Sequence, residues 1–221
     1  MPKYFKFYLI WAILVFVLVF VKGGFSTDNI THFLILVFLG INLWLFKKRG
    51  KYAGQNPKRY FIWYCVLSAA VVEGCYMITS PVFTSLRFTA GMSGGQMLVN
   101  YLIDLTFTVP AYFLIFRVVW WLINKYQYNV WQVAILFALG QGLGDGSRTF
   151  LANPGLLIFI PYILINYHAM NVVPFLKVQD ALPAERSNSF LKYLAPVVLL
   201  FLTYIFCGVI IYTVGAIFKL K

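Results

Sequence analysis

The sequence predicts an all-α polytopic membrane protein, a seven-transmembrane-helix bundle that forms one integral-membrane domain over residues 1–221. Three observations carry that prediction. Hydrophobic residues make up 62% of the chain and charged residues 11%, whereas a soluble domain carries about 25% charged residues. So few charges leave most of a globule of this size unwetted, and so much apolar sequence excludes intrinsic disorder. Seven runs approach the roughly 20 apolar residues that a helix needs to cross a bilayer, and none shows the period-2 alternation of a membrane β-barrel.

In chain order the runs are 5–21, 30–46, 60–80, 98–123, 129–144, 154–175 and 190–218. Lys3 and Lys6 precede the first run as in a signal peptide, but no A-x-A cleavage pattern follows, so it reads as a span. The second and fifth runs are short. The fifth decays into Gly140, Gly142, Gly144 and Gly146, where the helix is expected to end or unwind. Prolines at 110, 161, 174 and 196 fall inside apolar runs and predict kinks there.

The net charge of +12 is unevenly spread. With the N-terminus inside, the inner connections hold 12 cations and the outer ones 5, so the positive-inside bias places the N-terminus inside and the C-terminus outside. Six of the inner cations, Lys47, Lys48, Arg49, Lys51, Lys58 and Arg59, share the 47–59 loop. This loop is expected to meet anionic lipid headgroups, and membrane topology accounts for the basicity without nucleic acid. Arg117, Trp120 and Trp121 fall at the inner interface as an anchor and aromatic belt. The three cysteines, Cys65, Cys75 and Cys207, lie in apolar runs without metal-ligand spacing, so they indicate neither a metal nor a redox compartment. No cofactor is indicated.

Ionisable groups within spans cost at least about 2.5–3.5 kcal/mol each at mid-depth, and so need an account. Glu73 and Asp104 lie on neighbouring antiparallel spans at roughly 9–10 Å below the outer surface. Their shared depth predicts a carboxyl pair suited to acid–base catalysis, proton coupling or cation binding, or else two separate bonds to neighbours such as Asn100, Tyr101 or Thr106. Asp145, Arg148, Arg87 and His32 lie toward the same outer side and outline a polar cavity, in which Asp145 and Arg148 are expected to gate the mouth. Asn166 and His168 lie deeper in the sixth run, and together with Asp145, Arg148 and Asn100 they are the candidates for binding a substrate or ion. His168 there is a hydrogen-bonded core residue or a proton relay.

Three short patterns resemble known families. Gly142-Leu143-Gly144-Asp145 resembles the GxGD signature of intramembrane aspartyl proteases, and the resemblance implies that Asp104 is the second aspartate activating a water. Gly91-Met92-Ser93-Gly94 is similar to the GxSG of rhomboid proteases, which implies His168 as the partner of Ser93. Glu73 and Asp104 are similar in kind to the intramembrane carboxyls of seven-span terpenoid cyclases, which implies proton donation to an isoprenoid. Three function classes follow. The first is a small-solute or proton- or cation-coupled transporter or channel, and the second an intramembrane enzyme acting on a lipid, isoprenoid or peptide. The third is a structural subunit. The sequence is compatible with a homo-oligomer or a larger membrane complex.

Overall fold

Backbone N–H and C=O groups surrounded by apolar side chains must pair within the chain, and helices do this without leaving an open edge. In the computed structural model, which describes residues 3–145 and 153–220, the chain is helical throughout apart from its connections. The helices are α1 Lys3–Gly23, α2 Thr27–Arg49, α3 Pro57–Tyr76, α4 Gly94–Lys125, α5 Val130–Gly144, α6 Ile165–Val178 and α7 Leu191–Ile217. Among the described residues there is no strand, only an isolated bridge between Tyr126 and Ser187. Among the described residues three helices, α2, α4 and α7, are long and apolar enough to cross a membrane. The chain is therefore an α-helical membrane protein.

Local chemistry sets the helix starts. Ser26 caps α2 by accepting the Asn29 N–H at 3.3 Å. Asn56 caps α3 just ahead of Pro57, whose fixed φ suits a first turn. Ser93 with Gln96 and Asn129 with Gln132 form capping boxes that open α4 and α5. Gly50, at φ 68°, ends α2 in a conformation that disfavours any side chain. Helix α2 is longer than its apolar run predicts. It begins at the Ser26 cap and continues through Lys47–Arg49, where cations complement the negative end of the helix dipole.

One expectation is corrected. The 154–175 run is not one continuous helix: a 3-10 turn at Pro154–Phe159 and a short helix at Ile160–Ile163 precede a break at Leu164, after which α6 begins. Pro154 and Pro161 lack the N–H a helix interior needs, so they sit at starts. Helix α6, 14 residues long, rises about 21 Å, less than the roughly 30 Å of a bilayer core. The glycine run ends α5 as expected: the helix continues through Gly140 and Gly142 and stops at Gly144, while Gly146 lies outside the described residues. A Cβ on Gly140 would lie 2.6 Å from the Pro196 carbonyl oxygen, and one on Gly144 would lie 2.4 Å from Tyr204 Cβ. Small residues four apart thus let α5 and α7 touch backbone to backbone. Between them Gly142 faces the α6 side, where a Cβ would lie 2.7 Å from Leu164 Cδ2.

The core centres on α6, of whose 14 residues 13 are buried. It packs against α2, α3 and the π-helical turn Val133–Phe137 within α5. Outward faces stay apolar: Phe206, Val209 and Tyr212 of α7 and Leu98 and Leu102 of α4 are exposed, as a lipid-facing surface requires.

The basic connections gather at one end. The Tyr52 N–H donates to the Lys177 carbonyl at 2.9 Å, and Gln127 and Lys125 bond the backbone of Ser187 at 2.9 and 3.0 Å. The Tyr128 hydroxyl donates to the Lys192 carbonyl, and Lys51 pairs with Asp180. Replacing Gly144 by Val is expected to cost about 1–3 kcal/mol by overpacking and to lower the unfolding temperature in detergent by several degrees. Gly40→Ala, where nothing lies within 4 Å, is expected not to lower it, since alanine favours a helix interior over glycine.

Candidate functional site

At the opposite end the connection after α3 folds back into the bundle. Phe88 N–H donates to the Met77 carbonyl at 2.8 Å, and Met77, Phe83 and Leu86 form a small second core. Phe83 fills the space a side chain at Gly215 of α7 would need, since a Cβ there would lie 2.2 Å from its ring. Asp104 of α4 pins this connection, with Oδ1 accepting the Val82 N–H at 3.1 Å. Ser80, Pro81 and Val82 then become one wall of a cavity of about 660 Å³, a size that holds a small-molecule ligand.

The cavity is walled by α3, α4, α6, α7 and the end of α5. Its charged lining consists of Glu73 and Asp145, and no Lys or Arg lines it among the described residues. Each carboxylate holds a phenol. The Tyr112 hydroxyl donates to Glu73 in a short hydrogen bond, and the Tyr167 hydroxyl donates to Asp145 Oδ2 at 2.6 Å. Asp145 is crowded by protein yet exposed by surface area, as befits a group lining a recess. Two residues of the wall carry a buried polar atom without a hydrogen-bond partner among the described residues: Asn166 Oδ1 and the Tyr204 hydroxyl. His32 lines the wall and stacks on Tyr162 with ring centroids 4.2 Å apart.

The structure brings together only some of the residues singled out in the sequence. Glu73, Asp145, Asn166 and His32 share the cavity. Asp104 does not line it: its side chain is fully buried against the Val82 backbone, its Oδ2 has no partner, and no hydrogen bond joins it to Glu73, although its charge still acts on Glu73 through space. Equal depth put the two carboxylates at the same level but could not show that the inward-folded connection claims Asp104. Asn100 is likewise taken by this connection, with its Nδ2 donating to the Leu86 carbonyl at 3.1 Å. Arg87 is exposed and Arg117 faces outward, and Arg148 lies outside the described residues. His168 is buried on the other face of α6, its Nδ1 2.6 Å from the Tyr8 hydroxyl of α1. Residues two apart on a helix point to nearly opposite sides, so Asn166 and His168 cannot share one site.

The family resemblances fare accordingly. Asp104 is turned to Val82 rather than toward Asp145, and the glycines of the GxGD tetrapeptide serve helix packing. Ser93 caps α4, accepting the Gln96 N–H at 3.2 Å, while His168 bonds Tyr8, so the two are not a pair. Among the described residues no group of three or more His, Cys, Asp or Glu is placed to hold a metal ion.

The phenols of the site, Tyr112, Tyr167 and Tyr204, are not among the residues singled out in the sequence. A signal was available. Tyr112 and Tyr204 lie near the middle of long apolar helices, where a phenol needs a hydrogen-bond partner and an interfacial belt does not reach. Comparison with protein families, curated proteins and solved structures finds no match to this chain.

Asp104→Ala is expected to cost about 1–3 kcal/mol by leaving the Val82 N–H unsatisfied, and Asp104→Asn, which keeps an acceptor, to cost less. Thermal unfolding of the two purified variants in detergent measures the difference.

Proposed function

We propose that the protein is a transporter for a small cationic solute, or for a solute coupled to a proton or cation, with Glu73 and Asp145 as the binding carboxylates. One observation carries the reading: the cavity is lined by two carboxylates, several tyrosines and no Lys or Arg among the described residues. Carboxylates and aromatic faces both attract cations. The unpartnered Asn166 Oδ1 adds an acceptor for a ligand N–H, and a ligand that leaves such an acceptor unpaired forfeits about 1–3 kcal/mol.

In this proposal the seven helices form the bundle, with N-terminus inside and C-terminus outside. The basic end faces inward by the positive-inside bias, and the cavity, bordered by the Ser80–Val82 connection at the other end, opens outward. Helix α6 then crosses only together with its lead-in turns, inside a jacket of other helices, where irregular backbone is tolerated. Impermeant maleimide on intact cells is expected to label a cysteine at Arg87 and to leave one at Lys51 unlabelled. The reverse pattern inverts the topology.

The hydrogen-bonded Glu73–Tyr112 pair favours a second reading, acid–base chemistry on a membrane-soluble substrate. Reconstitution separates the two. Liposomes with a pH-sensitive dye and a panel of primary to quaternary amines are expected to show saturable flux. Glu73→Gln and Asp145→Asn should each weaken amine binding about tenfold or more, the loss of roughly 1.4 kcal/mol or greater, and should abolish flux. Unchanged amine binding in both variants would reject the cation site.

A further inference from the structure

The basic end of the bundle holds a second recess, of about 600 Å³, between α2 and α3. Its outer end is formed by Arg49, Arg59 and Lys177, and its inner end by Leu45, Trp63 and Leu67. On α3, Arg59, Trp63 and Leu67 are spaced four apart, and on α2, Asn42, Leu45 and Arg49 are spaced three and four apart. Each helix therefore presents one ridge that changes from cationic to apolar. The α3 ridge is about 12 Å long. Trp63 is 47% exposed and Leu67 61%, so the apolar end opens sideways onto the lipid-facing surface.

The charges of this recess are unspent. No Asp or Glu lines it, and Asp180 of the same end pairs with Lys51 instead. Neither the Arg49 nor the Arg59 guanidinium has a hydrogen-bond partner among the described residues, although the Arg59 backbone N–H caps onto Asn56 at 3.0 Å. Lys177 is committed, donating to the Gly50 carbonyl and lying 5.3 Å from the Phe46 ring centroid, so it closes the end rather than reaching out. Tyr52 stacks on Tyr60 at 4.2 Å to form a rigid wall. Deeper in, Asn42 is only 7% exposed. Its Oδ1 accepts the Tyr64 hydroxyl at 3.1 Å, but its Nδ2 has no partner. A buried amide donor without a partner costs stability, and Asn42 stands in the wall of this recess, where a small side-chain adjustment would bring its Nδ2 to an acceptor.

We propose that this recess binds one anionic phospholipid. The phosphodiester lies between Arg49 and Arg59, whose planar forks suit phosphate oxygens. The Asn42 amide, roughly 10 Å further along α2, donates to an acyl-ester carbonyl, and the acyl chain runs over Trp63 and Leu67. This is a built site for a single molecule, distinct from diffuse attraction of the 47–59 loop to a charged leaflet, and it does not rest on the reading of the Glu73–Asp145 cavity. Free phosphate offers the same oxyanion but cannot use Asn42 or the apolar ridge.

The test is native mass spectrometry of the full chain in mild detergent, titrated with phosphatidylglycerol, phosphatidylcholine or inorganic phosphate. The wild type is expected to hold one phosphatidylglycerol at least tenfold tighter than phosphatidylcholine, and inorganic phosphate in the millimolar range should not displace it. Arg49→Gln/Arg59→Gln should remove that preference, whereas Lys47→Gln/Lys48→Gln, which loses the same charge outside the recess, should retain it. Equal loss in the two double variants would show diffuse electrostatics and overturn the proposal. So would displacement by inorganic phosphate, or equal retention of both lipids by the wild type. Should Arg49→Gln/Arg59→Gln fail to fold, the wild-type lipid preference decides, together with Trp63→Ala, which is expected to weaken phosphatidylglycerol binding severalfold.

Discussion

Helix α6 is too short to cross a bilayer alone and too polar to face one, and the bundle is arranged around burying it. Asn166, His168 and Asn171 fall within its first seven residues, and each needs a partner from a neighbouring element in the absence of water. Tyr8 of α1 lies against His168, and Gln141 of α5 accepts the Asn171 amide at 2.7 Å. Asn166 stands in the cavity wall with its buried Oδ1 unpartnered among the described residues. The glycines of α5 belong to the same arrangement. They bring α5 against α7 on one side and Leu164 on the other, which carries Asp145 to the cavity wall.

Two oppositely charged recesses result, at opposite ends of the bundle. One is lined by carboxylates and phenols, the other by guanidiniums, an open amide and an apolar ridge. Their separation follows from topology. The cation-rich connections lie together where Tyr52, Gln127 and Ser187 make their backbone bonds, while the long connection after α3 folds inward at the other end and uses Asp104 as its anchor. Asp104 thus shapes the cavity by holding its wall, and the charge facing the hollow comes from Glu73 and Asp145.

Much of the helical layout was legible because apolar runs and capping residues are local signals. The Ser93–Gln96 and Asn129–Gln132 boxes mark their helix starts directly, and the apolar runs locate α2, α4 and α7. The break at Leu164 was less legible, since apolar content does not distinguish a continuous span from a 3-10 lead-in followed by a buried helix. Within the site, Glu73 was legible as a costly ionisable group in an apolar run. Its partner was not. Depth along a helix is readable from spacing, but the side of the helix a carboxylate faces depends on what packs beside it, and the connection that captures Asp104 is non-local.

The sequence by itself determined the solvent: a chain with 62% hydrophobic and 11% charged residues leaves much of its surface apolar, and its long apolar runs without period-2 alternation satisfy their backbone as helices rather than as a barrel. Tertiary structure alone decided which polar groups meet. Asp145 shares a cavity with Glu73, Asp104 closes its wall, and His168 turns away to Tyr8, since each choice depends on helix rotation and on close contacts between residues far apart in the chain, which no local pattern encodes.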